Sequence, residues 1–276
     1  MPNTNPQRPT PEQRLVPRNR PPESPVMFQR WEHLLFLHWP ISPTDIQATL
    51  PPGLHVDTFD NQAYLAIVPF YMQAVRPRFL PCVPGLSWFL ELNLRTYVHD
   101  DQGRPGVWFY SLDCNQPLAV ELARNLFHLP YQHAHMSAAK RDETIYYYSS
   151  REKKGRRNNP NVLIKNGVIP QSHWKTNPPS ESATYTYTPT NQLQTAQPDT
   201  LDFFLLERYL LFSTTKKGTL KVGQVHHQPY PYQPATCPEP STLPFAYNGF
   251  PQPKVPPTST LYSPGVSVEI FPLKPA

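Results

Sequence analysis

The stretch from Trp88 to Met136 constrains the fold more than any other part of this chain. Leu90, Leu92, Leu94 and Thr96 alternate with Glu91, Asn93, Arg95 and Tyr97. In a strand, successive side chains point to opposite faces, so one face is apolar and the other carries Glu, Asn, Arg and Tyr. Such a polar face is either wet or part of a site. The charged turn HDDQGRPG leads to a second strand, Val107 to Leu112. A helix signal follows: Asn115 as N-cap, Pro117 in the first turn, apolar Leu118, Leu122, Ala123 and Leu126, and Pro130 as the stop. This strand, hairpin, helix and loop bring Tyr131, Gln132, His133 and His135 back toward the paired strands.

Elsewhere the chain is punctuated by proline, with 38 in 276 residues, and these cluster toward both ends. Residues 1–25 are rich in Pro, Arg, Asn and Gln and poor in large apolar side chains, so they are expected to form a disordered tail. Residues 26–276 are then read as a single domain. The excess of 25 basic over 20 acidic residues comes largely from that tail and from the run REKKGRR. The run has no interleaved aromatics, so no nucleic-acid partner is expected. No apolar run approaches the ~18 residues of a membrane helix, so no membrane partner is expected either. Three widely spaced cysteines and no signal peptide point to the cytoplasm.

Order is expected to begin near Phe28, with the apolar segment QRWEHLLFLHWPI. A short helix capped by Ser42 follows, and then a hairpin of Val56 to Phe59 with Ala63 to Phe70 around Asp60-Asn61. Further strands are read at Glu143 to Ser150, within Ser172 to Thr188, at Thr219 to His226, and at Val266 to Phe271 after a turn at Ser263-Pro264-Gly265. Glu207 and Arg208 interrupt the apolar run DFFLLERYLLF, and residues 228–259 read as coil. Many short strands with few helices favour an antiparallel α+β or closed-barrel architecture.

The blocks WEHLLFLHWPI, LPPGLHVDTFDNQAYLAIVPF, FLELNLRTYV, PGVWFYSLD, LLERYLL, VHHQPYP and YSPGVSVE resemble, in order and wording, the YqjF-like family of uncharacterised bacterial proteins. The resemblance runs from about Phe28 to Phe271. That family is similar in turn to acetoacetate decarboxylase. The resemblance therefore implies a mainly antiparallel closed β-barrel with flanking helices and an internal pocket for a small molecule. The decarboxylase works through a Schiff-base lysine whose pKa is lowered in its pocket. The matching place here reads Leu129-Pro130-Tyr131-Gln132, which offers no amine. Lys140 lies nine residues beyond Tyr131, and Lys165, Lys175, Lys216, Lys217 and Lys221 sit in polar or turn-like contexts.

The candidate site residues are Glu91, Arg95, Tyr131 and His133. Glu91 and Arg95 lie ~13 Å apart along a strand, too far to pair with each other. Each then needs a partner such as Tyr131, His133, Glu207, Arg208 or an anionic ligand, unless they form ion pairs on the outer face. His128, His133, His135 and the doublet His226-His227 lack the paired spacing of a zinc site, so no metal and no cofactor is expected. Ser111, Asp113 and Cys114 lack a nucleophile signature and read as a strand end.

Two functions follow. One is a lyase or hydrolase acting on a small oxo acid or carbonyl compound, in which Arg95 holds the carboxylate, Glu91 or His133 moves protons and Tyr131 donates a hydrogen bond. The other is a non-catalytic protein that binds or senses the same ligand. A homo-oligomer is compatible with either.

Overall fold

The computed structural model describes residues 8–151 and 182–276. The chain opens with α1 (Pro11–Leu15) and a 3-10 turn, Val16–Arg18. It continues through β1 (Met27–Ile41), α2 (Pro43–Gln47), β2 (Leu54–Val56), β3 (Ala63–Pro77), β4 (Phe89–Asp100) and β5 (Pro105–Cys114). Then come α3 (Pro117–Leu122), which runs into a π-helical turn, Ala123–Phe127, and β6 (Tyr131–Arg141), β7 (Thr144–Arg151), β8 (Ala183–Pro189) and β9 (Gln194–Thr195). The last elements are α4 (Leu201–Leu206), β10 (Leu210–Thr214), β11 (Leu220–His226), β12 (Pro231–Thr236), α5 (Leu243–Tyr247), β13 (Ser259–Ile270) and β14 (Lys274–Pro275).

The architecture is α+β and mostly sheet. The sheet is mixed, where the sequence suggested a mainly antiparallel barrel, because β5 runs parallel to both β6 and β10. Its strand order is β14-β11-β10-β5-β6-β7-β8-β12-β13-β1-β3-β4-β2, and β4 also pairs with β5 while β11 also pairs with β13. The β4–β5 hairpin forms as expected, with a bulge between Leu94 and Arg95. β2, by contrast, pairs with β4. The expected hairpin with β3 is reduced to one bridge, Phe59 to Gln62.

Four readings change for identifiable reasons. The Asn115 side chain accepts from the Leu90 backbone N–H at 2.8 Å, so Gln116 caps α3 by accepting from the Leu118 N–H at 3.1 Å. On α3 it is Val120 that turns inward, while Leu118, Leu122 and Leu126 are exposed. Residues 228–259, read as coil, contain β12 and α5. The Pro264-Gly265 turn lies inside β13, opposite Glu32 of β1. There Gly265 has a φ of +138°, and a Cβ would meet the Trp31 carbonyl oxygen at 2.2 Å, so the position needs glycine.

Residues 8–25, the described part of the expected tail, make contacts with the rest of the chain. Thr10 and Gln13 form a capping box on α1. Arg14 makes a bidentate pair with the buried Asp57 at 2.6 and 2.7 Å, and Asp57 also binds Arg208 at 2.8 Å. Gln224 donates to the carbonyls of Pro17 and Asn19, and Arg20 pairs with Glu269. Composition underrated this segment because its ionic and backbone bonds, and the burial of Pro9, Pro17, Pro21 and Pro25, depend on partners distant in sequence. The insert after Arg151, with Lys165 and Lys175, and residues 172–181 of the expected strand lie outside the described residues.

Candidate functional site

β4 lies between β3 and β5, and all twelve of its residues are buried. Its two rows face different cores. Leu90, Leu92 and Leu94 pack with Leu35, Leu37, Leu65, Ile67 and Tyr147, each such side chain contributing about 1.5–3 kcal/mol. The other row turns Tyr97 into the core that holds Phe36, Val68, Leu112 and Tyr131. Glu91, Asn93 and Arg95 share that direction, so the charged row is interior and lies among apolar side chains.

At one end of the row, the Tyr131 hydroxyl donates to Glu91 Oε2 at 2.6 Å, and the Asn93 amide reaches Oε1 at 3.5 Å. The parallel start of β6 on β5 sets this up, with Tyr131 opposite Leu112. Burial disfavours the charged carboxylate and raises the Glu91 pKa to about 7, although the Tyr131 and Asn93 bonds pull it down. A carboxyl poised there can give or take a proton near neutrality.

Arg95 occupies the other end. Its guanidinium lies 5.5 Å from the Phe36 ring centre and 5.8 Å from that of Tyr97, and one Nη donates to the Leu205 carbonyl at 3.5 Å. Among the described residues its buried Nε has no hydrogen-bond partner, and no carboxylate pairs with it. The Tyr97 hydroxyl donates to the Leu205 carbonyl at 2.9 Å and lies 2.8 Å from His38 Nε2. His38 and Tyr97 thus share one buried hydrogen bond beside the Leu205 carbonyl. Burial, aided by the Arg95 charge, lowers the His38 pKa to about 3 and keeps the ring neutral.

His227 faces the same charge. Its Nδ1 lies 2.7 Å from the Gln228 carbonyl, which can only accept, so Nδ1 carries the hydrogen and Nε2 is a bare lone pair. That Nε2 is buried without a partner among the described residues, and burial lowers the His227 pKa to about 4. Tyr209 and Tyr230 hold the ring at centre distances of 4.6 and 4.5 Å. Glu207 fixes both tyrosines, accepting from the Tyr209 hydroxyl and from the Tyr230 backbone N–H. Arg95 Nε, His227 Nε2 and Asn93 Oδ1, which also has no partner among the described residues, thus offer one donor and two acceptors inside the protein.

Of the sequence candidates, Glu91 and Tyr131 meet, and Arg95 shares their interior face. His133 does not join them: it is half-buried beside Glu121, 3.4 Å from its Oε1. Glu207 and Arg208 are committed to Tyr209 and Asp57 and do not pair with Arg95. Ser111 and Asp113 bind Arg151, and the Cys114 thiol bonds the Gln116 backbone, which fits their reading as a strand end. His38 and His227 were missed as site residues, since only the position of His227 in VHHQPYP marked it out. No lysine is buried among the described residues. No group of three or more metal-binding side chains occurs among them either. A separate surface cleft of about 430 Å³ is lined by Arg124, His128, Lys216, Lys217 and Lys221 among others. Among the described residues, no helix is long and apolar enough to cross a membrane.

A family described as an uncharacterized conserved protein, DUF2071, matches residues 28–267. The chain is 38% identical over 210 residues to the uncharacterized protein YqjF of Bacillus subtilis (strain 168), covering 76% of each. Its fold is similar to acetoacetate decarboxylase from Legionella pneumophila, with a TM-score of 0.56, 12% identity, and 94% of this chain and 89% of that one covered. It is also similar to the enduracididine biosynthesis enzyme MppR in complex with the condensation product of pyruvate and imidazole 4-carboxaldehyde. There the TM-score is 0.56 and the identity 11%, with 92% and 90% of the two chains covered.

Proposed function

The chain belongs to the DUF2071 family of uncharacterized conserved proteins, and from its interior polar row we propose that it binds a small carboxylate-bearing carbonyl compound and moves a proton on it. The circuit of pairings β4-β5-β10-β11-β13-β1-β3-β4 supports a closed barrel around that row. In this reading Arg95 anchors the ligand carboxylate. Glu91, held by Tyr131, takes a proton from the carbon beside the carbonyl as the carboxylate and returns one to the same carbon as the acid, and His227 Nε2 accepts a hydrogen bond from a donor on the ligand. No imine forms, because the position after Pro130 is Tyr131. The likeness to enzymes that handle acetoacetate and pyruvate supports the ligand class by fold analogy alone. Three free cysteines support a reducing cytoplasm as the setting.

The observation that carries this reading is that, among the described residues, no carboxylate pairs with the Arg95 guanidinium and its Nε has no partner. A buried arginine stays charged, and a buried charge without a counterion is costly, so the site is built for an anion. The test is a thermal melt of wild type and Arg95→Gln with and without pyruvate, acetoacetate and longer 2-oxo acids. Wild type should gain stability with at least one acid. Arg95→Gln should gain none and be at least as stable as wild type without acid, since it loses no carboxylate partner. A loss of ~3–5 kcal/mol in acid-free Arg95→Gln would instead reveal a protein carboxylate stranded by the change. Turnover is read separately in deuterated water by NMR. Exchange of the protons beside the carbonyl by wild type and not by Glu91→Gln supports catalysis, and exchange by neither leaves a binding protein.

A further inference from the structure

Eight large apolar side chains are exposed on two segments that touch. Phe79, Leu80, Val83, Leu86 and Trp88 lie in the loop before β4, and Leu118, Leu122 and Leu126 on the outer side of α3 and its π-helical turn. The Gln116 side chain joins the two by donating to the Gly85 carbonyl at 2.5 Å. Phe79 is 87% exposed and Leu126 60%, values unusual for residues of this kind in a monomer. Taking on the order of 150–200 Å² for each whole side chain, the eight expose roughly 700 Å². That exceeds the roughly 300–600 Å² of the largest patch on a typical monomer and approaches the roughly 800 Å² each partner contributes to a stable complex. Residues 79–88 contain no charged side chain.

We propose that this face is a two-fold contact between two copies of the chain. The charge arrangement selects a second copy over an anionic membrane. Glu121 and Arg124, paired with each other at 3.1 Å, flank Leu122 with opposite signs. Two copies of α3 packed antiparallel about a two-fold bring Glu121 of each against Arg124 of the other, a self-complementary match. The pair carries no net charge, so it offers an anionic lipid surface nothing to attract, whereas a second copy meets both of its signs. The leucines repeat every fourth residue, so they form one stripe along the helical segment for its copy to meet.

Sedimentation of the full chain at tens of micromolar, with Leu122→Glu and Phe79→Ser as separate variants, tests this. Wild type should sediment as a dimer. Each variant should halve the mass while keeping the wild-type circular dichroism spectrum, since both side chains are exposed and the two lie on different segments. A monomeric wild type, or a dimer that neither variant weakens, overturns the proposal. Cosedimentation of a monomer with phosphatidylserine-containing vesicles would overturn it in favour of a membrane.

Discussion

Replacing Glu91 by Gln isolates the cost of burying its charge. The carboxyl titrates near 4.5 in an unfolded chain and at about 7 in the fold. Below the lower value both states hold the proton. Between the two values the unfolded chain loses it first, so the folded state binds more protons and stability falls as pH rises. At about 1.4 kcal/mol per pH unit, that interval makes the loss ~3 kcal/mol, complete above about pH 7. The amide introduced by Glu91→Gln does not titrate and can still accept from the Tyr131 hydroxyl, so the variant escapes this loss.

The wild-type profile alone would mislead. Asp113, buried and raised to about 6, slopes the same way as Glu91. His38 and His227, lowered to about 3 and 4, slope the other way, because the unfolded rings take up protons as pH falls through 6.5. The difference between wild type and variant cancels the two histidines and, apart from its repulsion of Glu91, Asp113. Urea unfolding followed by tryptophan fluorescence, repeated from about pH 4 to about pH 8, should show Glu91→Gln gaining ~3 kcal/mol on wild type across that range. A difference that stays flat with pH would refute the reasoning, since it would mean that Glu91 is ionised and compensated in the fold.

Tyr131→Phe removes the hydrogen bond that pulls the Glu91 pKa down, so the midpoint of the same difference profile should move to higher pH; an unmoved midpoint would separate Tyr131 from the carboxyl. Deleting residues 1–25 removes Arg14 from the buried Asp57 and unpairs Glu269 and Gln224, which should cost roughly 2–4 kcal/mol, or ~5–10 °C in a thermal melt. An unchanged melt would show that this segment adds nothing to the cooperative unit. Borohydride with acetoacetate should leave the mass of the chain unchanged, and a stoichiometric adduct on any lysine would restore imine chemistry.

What the sequence made legible was local. The period of two in Phe89 to Tyr97, the charged turn and the loop after Pro130 gave the β4–β5 hairpin and brought Tyr131 to Glu91, because these depend on neighbours within a few dozen residues. Alternation also suggested one apolar and one polar face, yet both faces of β4 are buried. Nothing local distinguishes a charged row facing water from one facing a core of Phe36 and Tyr97.

What stayed hidden depends on partners far along the chain. Arg14 reads as tail until Asp57, 43 residues on, is seen to need its charge. Gly265 reads as a turn until the Trp31 carbonyl is found where its side chain would be. His227 reads as half of a poor metal motif until its Nδ1 proton is committed to Gln228, which leaves Nε2 bare beneath the field of Arg95. These three share one physical origin, since in each an unpaired charge, a missing side chain or an unused lone pair gains meaning only from what approaches it. The unpartnered atoms of the interior row are the same kind of feature, carried one step further: their complement is not another residue among those described, so it is sought in a ligand.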